Sequence, residues 1–557
     1  MTASDEPREV DPVTLEVVRN GLASVAEEMS ANLVRTSYSP NIKEREDCSS
    51  AVFDADGRML AQAENIPVHL GAMPDSVRAV VEALDLGPDD TAIHNSPFSG
   101  GAHLPDITFV SPVFVDGERV AYVANRAHHA DVGGARAGSV AADSTSVFGE
   151  GVQIPPVKLF AGGDLVEGVF DFLVENVRTP DEREGDLRAQ QAANATGRRR
   201  FGELVERHGV DTVRAVADRV CDYSEGRMRE EVAGLADGTY RFEDALDGDG
   251  AGTRDVPVAA TVTVSGDAIA VDFEGSASQV AGPVNAPLAV TKSATYYALR
   301  AVTDPDIPPN AGCYRPFDVT APKGSVVNAR KPAAVVGGNL ETSQRVVDVV
   351  LGAMAEGGVR PVAAAANGSM NNVTFGSADA DAPYTFYETI GGGYGARPES
   401  DGVDGVHAHM TNTRNTPVEA LELSAPLRVE RYELRPDTGG AGRRRGGLGI
   451  RRDIRVLEGA AEFSLLADRR RHRPYGLDGG EPGAAGDDRA VIDGEERSID
   501  GMTTLDLAPG DLVSVRTPGG GGFGPPEERP TEAIERDLAE DRLTPEHVAE
   551  HYPHHEE

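Results

Sequence analysis

The chain is poor in cysteine and long apolar runs, and these shortages exclude whole classes of protein. Of 557 residues only three are cysteine, at positions 48, 221 and 313. They are odd in number, far apart and without a CxxC pattern, so the sequence predicts no disulfide framework and favours the reducing cytoplasm. No run of 18 apolar residues occurs, and the chain does not open on a charged-then-apolar leader. We therefore expect a cytoplasmic protein with no membrane partner.

Lysine is equally scarce, although charge is abundant. The net charge is −38, and only five of the 53 basic residues are lysine: Lys43, Lys158, Lys292, Lys323 and Lys331. Such a surface repels phosphate backbones, which argues against nucleic acid or an anionic membrane as a partner. At molar salt the Debye length falls to roughly 3 Å, so the self-repulsion is screened. The composition therefore predicts a halophilic protein.

Common catalytic loops are also missing. No lysine lies in the pattern G-x-x-x-x-G-K-[ST], so any ATP must be held at another kind of site or by another subunit. Residues 391–397 (GGGYGAR) offer backbone N–H groups to an anion, or they mark turns and tight packing, and the sequence leaves both open. No G-x-S-x-G occurs, and acidic neighbours would raise the pKa of Cys48. A covalent Ser or Cys mechanism is not expected.

The pattern along the chain predicts both helices and strands. Helices are predicted from residue 12 to about 33, near 74–84, through 182–228, around 286–304, through 342–355 and through 531–550. Strands are predicted at 50–53 and 59–62 as a hairpin, then at 106–114, 119–125, 240–242, 260–264 and 269–273.

We therefore predict a large α+β protein of several subdomains, with an α/β N-terminal part and a β-rich, glycine-rich C-terminal part. Its regions are expected at 10–236, which carries the candidate metal site, at 237–424 as a middle α/β part, at 425–525 as the β-rich part, and at 526–557 as a charged helical tail.

Two segments gather three histidines and two aspartates: residues 100–106 (GGAHLPD) and 126–134 (RAHHADVGG). Imidazole and carboxylate together suit a divalent ion such as Zn²⁺, Mn²⁺ or Fe²⁺. Glycines and Pro105 predict a bend that brings His103 and Asp106 together. Because His128 and His129 follow a strand, they should point to opposite faces, and we favour His128 as the ligand. His129 and Asp131 would then orient ligands, unless all five are polar residues at a sheet end.

Three further groups are weaker candidates. His69 reads as a packed histidine more readily than as a ligand. His407 and His409 would share one side of a strand, and they either bind a metal, here or at the first site, or form an interior hydrogen-bonded feature. Residues 44–47 (ERED) would project carboxylates from a loop between a helix and a hairpin, although a charge run is usually a solvated face.

Together these segments resemble the hydantoinase B/oxoprolinase family over about residues 10–525. The motifs that carry the resemblance are DPVTLEVV at 11–18, EREDCS at 44–49, IPVHLG at 66–71, NSPFSGGAHLPD at 95–106, RAHHADVGG at 126–134, EGVQIPP at 150–156, NAGCYRP at 310–316, GNLETSQR at 338–345 and YETIGGG at 387–393. One departure is Ser96 in NSPF, where the family usually has an aspartate in NDPY.

The resemblance implies a B-type subunit of an ATP-dependent hetero-oligomer, in which an A-type ATP-binding subunit phosphorylates the oxygen of a cyclic amide such as a hydantoin, N-methylhydantoin or 5-oxoproline. It implies that the metal ligands are Asp47, His103, Asp106 and His128. The metal would supply hydroxide at neutral pH to open the activated ring. His129 or Asp131 would be the general base or an orienting group, and Glu44 a supporting carboxylate.

Two other readings remain open at this point. A ketone carboxylase α-type subunit looks like the same scaffold applied to carbon–carbon bond formation. A scaffold subunit that holds metal without catalysis would show a closed, fully protein-ligated site, whereas a catalytic site keeps a coordination position open.

Overall fold

The computed structural model describes residues 10–359, 362–377 and 383–555, and within these ranges it has four β-sheets and helices packed against them. The helices are α1 (Pro12–Thr36), α2 (Pro40–Lys43), α3 (His69–Ala83), α4 (Glu167–Val174), α5 (Pro180–His208), α6 (Val210–Ala233), α7 (Leu288–Ala301), α8 (Ala311–Tyr314), α9 (Ser343–Glu356), α10 (Val418–Ser424), α11 (Thr531–Ala539) and α12 (Pro545–His551). None of these helices is long and apolar enough to cross a membrane.

The first ten strands are β1 (Cys48–Asp54), β2 (Met59–Glu64), β3 (Thr91–His94), β4 (Asp106–Val115), β5 (Glu118–His128), β6 (Val157–Ala161), β7 (Asp164–Leu165), β8 (Gly238–Gly248), β9 (Arg254–Ser265) and β10 (Ala268–Asp272). The other ten are β11 (Phe317–Thr320), β12 (Asn372–Ser377), β13 (Thr385–Thr389), β14 (Leu427–Leu434), β15 (Ile450–Val456), β16 (Ala461–Leu466), β17 (Arg489–Ile492), β18 (Glu495–Ser498), β19 (Met502–Leu507) and β20 (Leu512–Arg516). The α+β class expected from the sequence is confirmed.

A seven-stranded sheet, in the order β2-β1-β5-β4-β3-β6-β7, forms the N-terminal part. Its β1 strand shows why both faces are covered. Val52 packs among the buried apolar residues of α1, whereas Ala51 and Phe53 pack with those of α3. Alternation along the strand requires this division, so the sheet lies between two layers of helix.

Helix α1 follows its sequence signals closely. The Asp11 side chain accepts hydrogen bonds from the backbone N–H groups of Val13 and Thr14, and Pro12 occupies the first turn. Helix α3 differs, because it begins at His69 rather than near Pro74. Pro74 lies inside the helix near its start, where the missing N–H costs one helical hydrogen bond at most. The prediction that the helix begins near Pro74 was therefore wrong, and the earlier start places His69 in the first turn.

The second sheet has the order β11-β10-β9-β8, with β10 and β11 parallel and the other pairs antiparallel. Helix α9 packs on β8 and β9, and α7 lies between α9 and α3. The third sheet, β13-β12-β16-β19, joins strands from both sides of residue 425. Backbone pairing therefore does not divide the molecule at that position, and the proposed regional boundaries stay predictions.

Residues 391–395 lie in a closely packed group of glycine-rich segments rather than in an open loop. A Cβ on Gly393 would come 2.0 Å from the carbonyl oxygen of Gly447 and 2.3 Å from the backbone nitrogen of Gly520. Only glycine permits such an approach. The N–H of Gly393 donates to the carbonyl oxygen of Pro518. Of the two interpretations left open for this segment, the contacts favour packing over anion binding.

The C-terminal helices lie against the glycine-rich part. Tyr552 is fully buried, and Ile534, Leu543 and Val548 pack with it and with Ala441. Arg529, also buried, binds both Asp401 and Asp537. The predicted charged helical tail is thus tied to the rest of the molecule by an apolar cluster and an ion-pair network.

Candidate metal centre

Three adjacent strands bring candidate ligands to one edge of the first sheet. In the β4–β5 pair, Asp106 lies directly opposite His128, and the backbone N–H of His128 donates to the carbonyl oxygen of Asp47, just before β1. Directly opposed residues on neighbouring strands have Cβ atoms only about 5 Å apart. Residues separated widely in the sequence therefore meet because of strand register.

Strands β4 and β5 are joined by a tight turn at Asp116 and Gly117. Both residues have positive φ, 51° and 83°. That is the backbone of a two-residue hairpin loop, and Asp-Gly is a favoured sequence for it. This signal was present in the sequence and would have predicted the hairpin, but in the register of the turn alone Asp106 would lie opposite Ala127. An irregularity between Val113 and Phe114 shifts the pairing by one residue and places Asp106 opposite His128.

His103 reaches the same place from the loop between β3 and β4. The Asn95 side chain donates to the carbonyl oxygen of Leu104 at 2.8 Å and accepts from the N–H of Ile154 at 2.7 Å. A Cβ on Gly101 would lie 2.6 Å from the carbonyl oxygen of Ser96, so the loop closes tightly on itself. The bend predicted from the glycines and Pro105 is present, and it holds His103 beside Asp106.

The three side chains form one buried cluster. His103 Nε2 lies 3.0 Å from Asp106 Oδ1 and 3.1 Å from His128 Nδ1, and His128 Nδ1 lies 3.3 Å from Asp106 Oδ1. Ligands held about 2.1 Å from a metal ion in tetrahedral or octahedral arrangement are separated by roughly 3.0–3.4 Å. The spacing therefore fits a divalent ion. Among the described residues, these three are the only His, Cys, Asp or Glu side chains found close enough together, as a group of three, to hold a metal ion.

The charges also suit a cation. Burial alone would raise the pKa of Asp106, but the charge and hydrogen bond of His103, together with the neighbouring rings of His128 and His69, hold it well below its usual range. Burial lowers the pKa of His128. Asp106 Oδ2 is buried without a hydrogen-bond partner. At neutral pH the site thus offers a carboxylate and a neutral imidazole, the protonation states that metal binding requires.

The cluster borders a cavity of about 20 Å³, room for about one water molecule. Asp47 and His69 line this cavity. His69 Nε2 lies 3.6 Å from Asp106 Oδ2, and its Nδ1 lies 2.9 Å from the Ser49 hydroxyl oxygen, which fixes the ring orientation. Asp47, named as a ligand from the family resemblance, is at the cavity but outside the group of three. His69, treated as the weaker candidate, lies beside it.

Asn339 is a site residue that the sequence reasoning did not single out, although it lies within the quoted motif at 338–345. Its Nδ2 lies 3.3 Å from His103 Nε2, and its Oδ1 is buried without a partner. A wide helical turn over Gly338–Thr342 presents it at the start of α9. Such π-type turns are frequent at functional sites. An amide rotated by 180° would offer its oxygen to the same position.

Tyr387 was missed in the same way. Its ring stacks on His128, with centroids 4.6 Å apart and planes 15° from parallel, and the Arg45 guanidinium lies 5.1 Å from its centroid. The Tyr387 hydroxyl donates to Asn372 Oδ1 at 3.0 Å, and Asn372 Nδ2 donates to Glu341 at 3.0 Å. Strand β13 therefore fixes the orientation of a candidate ligand on β5.

Two buried carboxyl groups near the cluster also escaped the sequence reasoning. Burial, and then the charge of Asp468, raises the pKa of Glu341 to about 8. Burial raises the pKa of Glu150 to about 7, although hydrogen bonds from the backbone N–H groups of Val335 and Val336 act in the opposite direction and lower it. Both glutamates lie in motifs quoted for the family resemblance, but a single sequence gives no sign of their burial.

His129 and Asp131 face away from the cluster. The His129 ring lies 2.8 Å from Gln190 Oε1, and burial lowers its pKa to about 4. Asp131 accepts from the backbone N–H of Gly133, Gly138 and Arg178 and pairs with the Arg178 guanidinium at 2.9 Å. Glu44 is exposed at the end of α2, whereas the cluster is buried. Their catalytic roles stay predictions, and for His129 and Asp131 the orienting alternative agrees better with these contacts.

His407 and His409 do not join the cluster. His407 Nε2 lies 3.2 Å from Asn415 Oδ1, and His409 packs against the rings of Tyr297 and Tyr394. The segment is not a strand, and His409 has a φ of 55°, so the two rings do not share one side. Of the two interpretations, the interior one agrees with the structure.

A mixed α/β scaffold with a buried His-Asp-His cluster defines a protein with a candidate metal centre. Over residues 11–526 the chain matches the model of a family described as hydantoinase B/oxoprolinase, and it belongs to that family. It is 40% identical over 545 residues to an uncharacterised protein of Methanocaldococcus jannaschii, covering 96% of this chain and 94% of that one. It is 33% identical over 567 residues to a protein of a Pseudomonas species named as the B-type subunit of a D-/L-hydantoinase, covering 98% and 95%.

Other relatives are longer. The chain is 38% identical over 543 residues to 5-oxoprolinase 1 of Arabidopsis thaliana, covering 92% of this chain but only 42% of that protein.

Among solved structures, an ATP-dependent caprolactamase from Pseudomonas jessenii has a TM-score of 0.91 at 30% identity, covering 98% of this chain and 96% of that one. A nucleotide-free acetone carboxylase chain also gives 0.91, covering 99% and 80%, but at 20% identity it shows the fold alone.

Proposed function

We propose that this chain is the metal-bearing subunit of an ATP-dependent hydrolase of cyclic amides, and that it works with an ATP-binding subunit of the A type. The observation that carries the proposal is the convergence of His103, Asp106 and His128 on one point beside a water-sized cavity. The chain spans about two-fifths of the 5-oxoprolinase it matches, so the remaining functions of such an enzyme would have to come from a partner.

In this proposal His103, Asp106 and His128 hold the ion, and Asp47 and His69 border the substrate side of it. A bound divalent ion lowers the pKa of a water molecule toward about 7 and so supplies a nucleophile at neutral pH. Ser49 holds the His69 ring so that its Nε2 faces the cavity, where it can accept a proton. Asn339 and Tyr387 fix the positions of His103 and His128.

His129 and Asp131 act as positioning residues in this account. The backbone N–H of His129 donates to the carbonyl oxygen of Pro105, so the segment after β5 holds the loop between His103 and Asp106. Asp131 fixes the turn that follows, through Arg178 and three backbone N–H groups. Glu44 is given no contact with substrate, since it is on the surface.

Hydrolysis is preferred over ketone carboxylation because the resemblance to the hydantoinase component and to the caprolactamase extends to sequence, at 33% and 30% identity. A cyclic amide resists hydrolysis until its oxygen is activated. Phosphorylation by a partner fits a chain that has no Walker-type loop.

The test is reconstitution of the chain with the A-type subunit from the same source, followed by an assay of ADP formation. We expect ADP formation that depends on a cyclic amide among 5-oxoproline, hydantoin and caprolactam, is lost after chelation and returns with added divalent metal. The chain alone should not hydrolyse ATP. ADP formation that requires acetone and bicarbonate, or amide hydrolysis that survives complete metal removal, would contradict the proposal.

A further inference from the structure

A second cavity, of about 510 Å³, lies behind the loop that carries His103. Pro97 and Phe98 of this loop form part of its wall, together with Leu288 at the start of α7. Cavities of several hundred Å³ with partly apolar walls are typical of small-molecule sites. The cavity is distinct from the small one beside the metal cluster, with which it shares no lining residue.

Positive charge is concentrated at this cavity. Lys323, Arg330 and Lys331 line it, although the whole chain has only five lysines and a net charge of −38. The one acidic lining residue, Asp75, is already paired with Arg78 at 3.1 Å and with Lys292 at 3.6 Å. All three residues are exposed, and among the described residues no carboxylate forms an ion pair with Lys323, Arg330 or Lys331. Three like charges without a counter-charge repel one another, so their grouping favours an anionic ligand.

The loop that carries these side chains is held in place by hydrogen bonds. The N–H of Gly324 donates to the carbonyl oxygen of Asn328 at 2.7 Å, and the N–H of Arg330 donates to Gln279 Oε1 at 2.9 Å. The Lys331 ammonium lies 5.2 Å from the centroid of the Phe148 ring. The charges are therefore presented on an ordered backbone, which lowers the entropy cost of binding.

We propose that this cavity binds the phosphoryl group of a small organic phosphate. A phosphoryl group carries up to two charges and three acceptor oxygens, which match the three cations. The apolar wall formed by Pro97, Phe98 and Leu288 suits the carbon skeleton to which the phosphoryl group is attached. Inorganic phosphate alone would leave that wall unused.

The position of the cavity suggests which organic phosphate it takes. Phe98 and Gly100 line the cavity and lie within five residues of His103, so a bound ligand touches the segment that carries a candidate metal ligand. The ligand is then the cyclic amide phosphorylated on its oxygen, held in this cavity before it reaches the metal side bordered by Asp47 and His69, where its ring is opened. This last identification rests on the proposed function, whereas binding of an organic phosphate does not.

The experiment is calorimetric titration of the chelator-treated chain, without ATP or partner, in the lowest salt at which it stays folded. The probes are phenylphosphonate, inorganic phosphate and benzoate. The variant Lys323→Gln/Arg330→Gln/Lys331→Gln removes the three charges of the cavity. The control Arg35→Gln/Arg207→Gln/Arg497→Gln removes three exposed arginine charges elsewhere.

We expect phenylphosphonate to bind more tightly than phosphate or benzoate, and the cavity variant to weaken its binding by about tenfold, since each lost surface charge is worth up to about fivefold. The control should change it by less than about twofold. Three results would overturn the proposal: no binding to the wild-type chain, equal weakening in both variants, or weakening by His103→Ala but not by the cavity variant. Because no metal, ATP or substrate turnover enters this measurement, its failure is separate from failure of the proposed function.

Discussion

Replacing Asp106 with asparagine should remove most of the stability that the chain gains from a divalent metal. Asp106 supplies the carboxylate of the three-residue cluster, and asparagine keeps its shape but not its charge. Loss of even an outer partner of a metal ligand costs 10–100-fold in affinity, so loss of the charged ligand should cost at least about 100-fold. At a metal concentration of 1,000 times the wild-type Kd, binding stabilises the wild type by about 4.1 kcal/mol, and a 100-fold weaker variant by only about 1.4 kcal/mol.

The measurement is urea unfolding of both proteins with and without metal. The control is Asp249→Asn, which changes an equally buried carboxylate that accepts hydrogen bonds from the backbone N–H groups of Ala251, Thr253 and Gly282. The control should lose stability with and without metal alike, so its gain from metal stays that of the wild type. An unchanged gain in Asp106→Asn would refute the reasoning that this carboxylate is a ligand.

Three further predictions concern stability. Asp131→Asn should lower the free energy of unfolding by about 1–3 kcal/mol, because the bonds of this side chain to Arg178 and to the turn weaken. The metal content should stay unchanged, and a loss of metal would instead place Asp131 in the metal site. Burial and the charge of Arg126 lower the pKa of His94 to about 4, so below pH 6.5 the unfolded chain takes up a proton that the folded protein does not. Stability should therefore fall from pH 6.5 to about 4 by up to roughly 3 kcal/mol for this group, and His94→Phe should flatten that slope in urea titrations. Lowering the salt from molar to dilute should lower the melting temperature of a chain of net charge −38, and an unchanged value would remove the halophilic interpretation.

Much of the fold could be predicted because its signals are local. The Asp11 cap and the apolar spacing of α1, and the hairpin of β1 and β2, depend on residues close in sequence. Helix α3 was misplaced because proline favours the first turn of a helix, whereas Pro74 is the sixth residue of this one, and the sequence spacing does not reveal that exception. The join of β12 with β16 was not predictable, since nothing local indicates which distant strands will pair.

The residues of the site likewise fall into those that local sequence could predict and those that depend on tertiary packing. His103, Asp106 and His128 could be named from residue chemistry and from the alternation that turns His128 and His129 to opposite faces. Asn339 and Tyr387 come from segments more than 200 residues further on, and only tertiary packing brings them to the histidines. His69 was undervalued because a lone histidine is usually a packed one, and its contact with Asp106 depends on the earlier start of α3.

The most direct test of the central claim is elemental analysis of the purified chain by mass spectrometry, with wild type and Asp106→Asn prepared side by side. We expect about one divalent transition-metal ion per wild-type chain and much less in the variant. A metal-free wild type that still supports cyclic-amide hydrolysis with its partner, or equal metal content in both proteins, would contradict it.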